Sequence, residues 1–214
     1  RSPCRPSEAG YNEPVAAQKS SLSAVVLLLA LAASFSPAWG AAEPLETTLD
    51  NGLRVLLLED HRSPIVSFQV WYRVGSRNEL PGATGLSHFL EHMMFKGTAA
   101  YGPGVYARLI EQNGGQDNAF TSNDYTGYYV NIAADKVDLV IALEADRMRN
   151  LLLNPKEIDA ERQVVMEERR MRMEDDPQGF LGEELASIAF KAHPYRWPII
   201  GWMEDIQRIT PEEL

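Results

Sequence analysis

Two histidines and a glutamate lie within five consecutive residues of this chain, HFLEH at positions 88–92. On a helix, residues four apart lie on the same face, so the imidazoles of His88 and His92 can converge on one metal ion. Glu91 lies close enough to His88 to reach a water on that ion. The H-x-x-E-H spacing therefore predicts a zinc site that carries its own catalytic base, as in a zinc peptidase.

The residues around the motif predict a helix from about Thr84 to Lys96. Thr84 is a suitable N-cap, and Gly97 is a suitable C-terminal stop. An apolar stripe runs along the segment at helical spacing, formed by Leu86, Phe89, Leu90, Met93 and Met94. The alternative interpretation is a pair of ordinary histidines beside a surface glutamate, and the motif alone leaves it open.

A catalytic zinc usually takes three protein ligands and leaves one position for water. The charged segment that begins at Pro155 and runs to about Met173 predicts a long helix. Glu161 and Glu168 lie seven residues, or two turns, apart and share one face of that helix. Either could supply the third ligand by spacing alone, and a solvated acidic helix face is the competing interpretation.

Two stretches resemble the family of pitrilysin, insulin-degrading enzyme, the mitochondrial processing peptidase and its bacterial relatives. The stretch GLSHFLEHMMFKGT, residues 85–98, is similar to the zinc helix of that family, and ERQVVMEE, residues 161–168, is similar to its second metal segment. The resemblance implies one zinc per chain, with His88, His92 and Glu168 as ligands. It also implies that Glu161 hydrogen-bonds a ligand histidine. Glu167, rotated by about 100° on the helix, is the rival third ligand.

The stretch GGQDNAFTSNDYT, residues 114–126, resembles the family's strand at the rim of the active site. Its Gly-Gly pair and the residues that follow predict a turn into a β-hairpin. In the family, an extended substrate adds to this strand edge, which implies that Asn118 and Ala119 lie beside the scissile bond. A plain hairpin with packed aromatic residues is the alternative.

The resemblance implies an endopeptidase that cleaves peptides or unfolded segments by metal-activated water, with Glu91 as general base. It also implies a second homologous half or partner subunit that closes a chamber, so this chain is expected to be the N-terminal portion of a longer protein. A non-catalytic partner subunit or scaffold of the same fold is the main alternative. A different zinc hydrolase is a weaker one.

The amino-terminal region favours export. Residues 19–40 read as a secretory signal, with Lys19 before a short apolar run and small residues at Ala38 and Gly40. Residues 1–18 are an upstream stretch of uncertain origin that contains Cys4, the only cysteine. We expect a periplasmic location, with a membrane tether through an uncleaved signal as the alternative.

Residues 41–214 are long enough for one core and are expected to form the zinc-binding peptidase domain. The net charge of the whole chain, −10, argues against a nucleic-acid partner. Strands are predicted at 45–49 and 53–58, joined by an Asn-Gly turn, and at 65–74, and helices at about 84–96, 105–113, 136–150, 155–173 and 179–190. This pattern predicts an α+β fold, and the resemblance specifies a mostly antiparallel sheet backed by helices.

Overall fold

The computed structural model describes residues 43–214, which form parts of two compact units divided between Asp60 and His61. The predicted signal segment and the upstream stretch lie outside the described residues. Among those that are described, no helix has the length and apolar character needed to cross a membrane.

The first unit contains a two-stranded antiparallel hairpin, β1 (Leu45–Thr48) and β2 (Arg54–Leu57). Its turn differs in type from a two-residue Asn-Gly turn. The amide of Gly52 donates to the carbonyl of Leu49, and only Gly52 of the loop residues has a positive φ, +86°. A type I turn followed by a left-handed glycine is the three-residue hairpin loop, in which Asn51 keeps an ordinary backbone conformation.

The second unit contains three strands and a set of helices. In chain order they are β3 (Ile65–Tyr72), α1 (Leu86–Met93), α2 (Val105–Gln112), β4 (Gln116–Thr121), β5 (Thr126–Ala133), α3 (Val137–Asn150), α4 (Pro155–Arg169), α5 (Pro177–Ala189) and α6 (Met203–Ile206). The strands form an antiparallel sheet in the order β3-β5-β4, which confirms the predicted fold class. The helices pack through two apolar clusters, one around α1 and α4 and one between α2, α3 and the sheet.

The α1–α4 cluster fixes the two helices that carry the predicted metal ligands. Phe89 and Met93 of α1 and Val165 of α4 are completely buried in it. Since full burial of such a side chain contributes about 1.5–3 kcal/mol, this cluster holds the helices together. Adjacent helical residues are turned by about 100°, so His88 and His92, each next in sequence to a buried residue, lie on a face that borders the cluster.

The sequence predicted Thr84 as the N-cap of α1, and this prediction is wrong. Gly85 occupies that position with φ +87°, and the Thr84 hydroxyl instead donates to Asp205 at 2.6 Å. The missing cap is replaced by the buried carboxylate of Glu79, which accepts hydrogen bonds from the amides of Gly85 and Ser87, both at 2.7 Å. A carboxylate is well suited to this place because the amides at a helix N-terminus lack partners and carry partial positive charge.

Gly85 also approaches another segment of backbone too closely for any side chain. A Cβ at Gly85 would lie 2.5 Å from the carbonyl oxygen of Ile200, and one at Gly201 would lie 2.5 Å from that of Thr84. The start of α1 is therefore held against residues that are far away in the sequence.

The long helix predicted to end near Met173 ends as an α-helix at Arg169. A π-helical turn, Arg170–Glu174, follows it. Asp176 then caps α5 by accepting from the amides of Gln178 and Gly179. Such turns are often found at functional sites, and this one begins two residues after Glu168.

Candidate metal centre

Helix α1 places His88 and His92 side by side, with ring centroids 4.7 Å apart. His88 is buried and His92 is partly buried. The Nε2 atoms of the two rings lie 3.7 and 3.3 Å from Oε2 of Glu168 on α4. The sequence-predicted ligands are thus brought together on two neighbouring helices.

One ligand atom from each of His88, His92 and Glu168 lies within 4.8 Å of the others. Atoms placed about 2.0–2.1 Å from a tetrahedral zinc are roughly 3.4 Å apart, so small side-chain adjustments suffice for all three to bind. Two imidazoles and one carboxylate are also a known donor set of catalytic zinc. The residues present therefore fit this metal.

Glu161 lies outside the three-ligand cluster and contacts His92 from the other side. Its Oε1 is 2.8 Å from Nδ1 of His92, and its Oε2 pairs with the ammonium group of Lys96. The arrangement suits the role that the resemblance implies, because a carboxylate at Nδ1 fixes the tautomer that leaves Nε2 free for a metal.

Glu167 is turned away from the cluster. Its side chain is 61% exposed and pairs with Arg170 at 2.8 Å, whereas the Glu168 side chain is 19% exposed. The geometry favours Glu168 over Glu167 as a ligand. Arg172 pairs with Oε1 of Glu168 at 3.0 Å, and this leaves Oε2 directed at the histidines.

Glu91 lines the same cleft as the cluster. Its Oε2 accepts a hydrogen bond from the hydroxyl of Thr121 at 2.5 Å. Burial raises the pKa of Glu91, and the bond from Thr121 opposes that rise. A carboxylate with a raised pKa is suited to accept a proton and then release it.

The two histidines differ in charge. Burial, together with the neighbouring His92, lowers the pKa of His88 to about 4. Burial also disfavours charge on His92, but hydrogen bonds to Glu161 and Glu168 outweigh it and raise its pKa to about 9. At neutral pH the metal-free site therefore holds a neutral His88 and an imidazolium at His92 between two carboxylates.

The cleft has a volume of about 640 Å³ and is open to solvent. Strand β4 forms one side of it through residues 118–121. Asn118 and Ala119 both lie on this strand, and Ala119 pairs with Tyr128 of β5. The Asn118 side chain accepts from the amide of Ala119 at 2.8 Å. The structure thus brings the predicted strand residues to the same cleft as the metal cluster.

Three neighbours of the cluster were not anticipated from the sequence: Lys96, Thr121 and Arg172. The signals for two of them were available, since Lys96 follows His92 by four residues and Arg172 follows Glu168 by four. Thr121 could be placed on the same face of β4 as Ala119. Its contact with Glu91 depends on how β4 lies against α1, which no spacing reveals.

His193, the histidine that follows α5, lies apart from this cluster. It caps the short 3₁₀ turn Pro194–Arg196 by accepting from the amide of Tyr195. Its ring also contacts those of Phe190 and Tyr195.

Residues 54–201 match the insulinase family, peptidase family M16. The zinc protease PqqE of Helicobacter pylori is 37% identical over 190 residues, which cover 88% of this chain and 43% of that protein. A crystal structure of a protease from Helicobacter pylori superposes with a TM-score of 0.79 at 37% identity, over 81% of this chain and 42% of that one. The first half of the periplasmic protease PqqL from Escherichia coli gives a TM-score of 0.72 at 27% identity, over 80% and 38% of the two chains.

The fold and the comparisons relate this chain to proteins that are named zinc proteases. The chain belongs to the insulinase family, M16, which confirms the resemblance seen in the sequence. It spans about 40% of the length of the curated relatives that it matches.

Proposed function

We propose that this chain forms the zinc-binding part of an exported endopeptidase that hydrolyses peptide bonds in peptides or unfolded segments. The observation that carries the proposal is the convergence of His88, His92 and Glu168 at the cleft that Glu91 also lines. His88, His92 and Glu168 would hold one zinc ion. A scaffold of the same fold would have no need of a general base, and Glu91 therefore favours the enzyme.

Zinc held at this site would make a water more acidic and polarise the carbonyl of the scissile peptide bond. Glu91 takes the proton of the attacking water and passes it to the leaving amine. The hydroxyl of Thr121 holds the Glu91 carboxylate in place, and partial burial keeps its pKa high enough for both steps. Glu161 orients His92 through Nδ1.

The substrate is proposed to bind along β4. Within the described part of the chain, β4 pairs with β5 on one side only, and its other edge is available to an extended peptide. Asn118 and Ala119 would then lie beside the scissile bond. Recognition through main-chain hydrogen bonds accommodates many side chains, which suits a peptidase of broad substrate range.

A second homologous half or partner subunit is proposed to complete the enzyme. The solved first half of PqqL corresponds to much of this chain, and this chain spans less than half of its relatives. Groups that close over the substrate would come from that half.

Export to the periplasm is proposed from the signal pattern of residues 19–40, and a tether through an uncleaved signal is the alternative. The relative PqqL is described as periplasmic, which supports the proposal.

Zinc content tests the ligand set. The purified protein is expected to bind about one zinc per chain, to lose it in Glu168→Gln and to keep it in the matched control Glu167→Gln. Glu91→Gln is expected to keep zinc and to abolish peptide hydrolysis when the second half is supplied. A metal-free wild-type protein, or full activity of Glu91→Gln, would contradict the proposal.

A further inference from the structure

The turn that joins β4 to β5, residues 122–125, is held from outside by two separate segments. Within the turn, the amide of Ser122 donates to the carbonyl of Tyr125 at 2.8 Å, and the Ser122 hydroxyl accepts from the amide of Asp124. These bonds shape the turn. Hydrogen bonds from the two outside segments fix its position in the molecule.

The first outside segment is the stretch just after β3. The amides of Ser76 and Arg77 donate to the carbonyls of Ser122 and Asn123 at 3.1 and 2.9 Å. The approach is so close that a Cβ at Gly75 would lie 2.3 Å from the Ser122 carbonyl oxygen. Only glycine leaves room for the turn at this position.

The second outside segment is the HPYRWP run, residues 193–198, which the proposed reaction does not use. The hydroxyl of Tyr195 lies 2.8 and 2.7 Å from the two carboxylate oxygens of Asp124. Arg77 pairs with the same carboxylate at 3.0 Å. Trp197 completes the connection by donating to the carbonyl of Ser76 at 2.7 Å. Asp124 therefore joins three segments.

The position of this turn affects the cleft because the turn directly continues β4. Thr121, the last residue of β4, donates to Glu91, and Asn118 to Thr121 line the cleft. Ile199 and Ile200, which follow the HPYRWP run, also line it. The contact between Tyr195 and Asp124 thus connects two parts of the wall of one cleft.

We infer that Tyr195 and Arg77, by closing on Asp124, are positioning residues that hold the β4 edge in register for an incoming peptide. This inference rests on the proposed function, in which a peptide adds to β4. An edge strand that is hydrogen-bonded on one side only can shift together with its turn, and a shift would move both the peptide-binding edge and Thr121. Hydrogen bonds to a carboxylate at the turn resist that movement.

The test compares Tyr195→Phe, which removes one hydroxyl, with Tyr101→Phe as a matched control, because Tyr101 packs against the α2–α3 cluster. Hydrogen exchange of the amides of residues 118–125 is measured in the zinc-loaded protein. We expect faster exchange in Tyr195→Phe and no change in Tyr101→Phe. Unchanged exchange in Tyr195→Phe would overturn the inference, whatever the fate of the proposed reaction.

Peptide binding provides the second measurement, with both tyrosine variants made in a Glu91→Gln background to prevent cleavage. Affinity for a fluorescein-labelled unstructured peptide is expected to fall by about threefold to tenfold in Tyr195→Phe, with zinc content unchanged. Equal affinity in both variants would overturn the positioning role. If the parent itself binds zinc but no peptide, the proposed substrate strand fails and this inference fails with it. Loss of zinc in Tyr195→Phe would also overturn it, by showing a general structural defect.

Discussion

The two sides of the cleft are held in place by different means. Helices α1 and α4, which carry the proposed metal ligands, are fixed by fully buried side chains and by the buried carboxylates of Glu79 and Asp205 at the start of α1. Strand β4 is an edge strand whose turn is held by partly exposed hydrogen bonds to Asp124. The side that carries the proposed metal ligands is therefore built into the core, and the side proposed to accept different peptides is an edge strand that is paired with β5 and held at its turn.

The largest expected effect comes from Glu79. Glu79→Ala leaves two amides at the start of α1 without partners, and we expect the free energy of unfolding to fall by about 2–4 kcal/mol. Zinc affinity should fall as well, because His88 lies in the first turn of that helix. Denaturant unfolding and chelator competition measure the two effects.

Glu111→Ala, on the exposed face of α2, is a suitable control. If Glu79→Ala matched this control in both measurements, the contrast between a core-fixed helix and a turn-fixed strand would be lost.

An intermediate effect concerns protons. The pKa of His92 is raised to about 9 in the metal-free protein, so at pH 7 a zinc ion must displace its proton, whereas His88 is already neutral. We expect zinc binding at pH 7 to release about one proton from the two histidines. Calorimetry in buffers of different ionisation enthalpy measures this number.

Glu161→Gln should reduce proton release, because it removes a partner that holds the His92 proton. Asn118→Ala, on the strand side, should leave it unchanged. Equal proton release by the wild-type protein and both variants would show that Glu161 does not control this histidine.

The same raised pKa means that charged His92 stabilises the metal-free protein fully below about pH 6.5, and that this stabilisation is lost as pH rises through about 9.

The smallest effect should come from Thr121, where the two sides meet. Thr121→Val removes one hydrogen bond to Glu91, and we expect kcat to fall by about threefold to tenfold while zinc content stays unchanged. Steady-state kinetics of the enzyme with its second half supplied would measure it. Thr48→Val, in the β1–β2 hairpin, is a control of the same chemistry. An unchanged kcat in Thr121→Val would show that the β4 side of the cleft does not influence Glu91 on the α1 side.

The sequence was informative where geometry is local. The spacing of His88, Glu91 and His92 along one helix sufficed to place them on one face, and the helix spacing of Glu161 and Glu168 did the same. Choosing between those glutamates needed the resemblance to known peptidases, and the structure then showed Glu161 at Nδ1 of His92 and Glu168 facing the Nε2 atoms of both histidines.

Contacts between distant segments could not be predicted in this way. Thr84 has the side chain of a good N-cap, but Asp205 takes its hydroxyl and Glu79 replaces it at the helix end. The end of the α-helix at Arg169 was not predicted, because no residue there is a helix breaker. The π-helical turn that follows lies against Gly179, where a Cβ would meet the Arg172 carbonyl oxygen. In each case a partner far from the local pattern decided the outcome.

The bond between Thr84 and Asp205 spans 121 positions of the chain. In a polypeptide made from its amino end at roughly 5–20 residues per second, helix α1 emerges on the order of ten seconds before Asp205 is synthesised. Glu168, the proposed third ligand, also comes well after both histidines. The nascent helix thus lacks its anchor and that glutamate during the interval, and acquisition of zinc is expected to follow synthesis of the segment that ends at Asp205 rather than accompany that of α1.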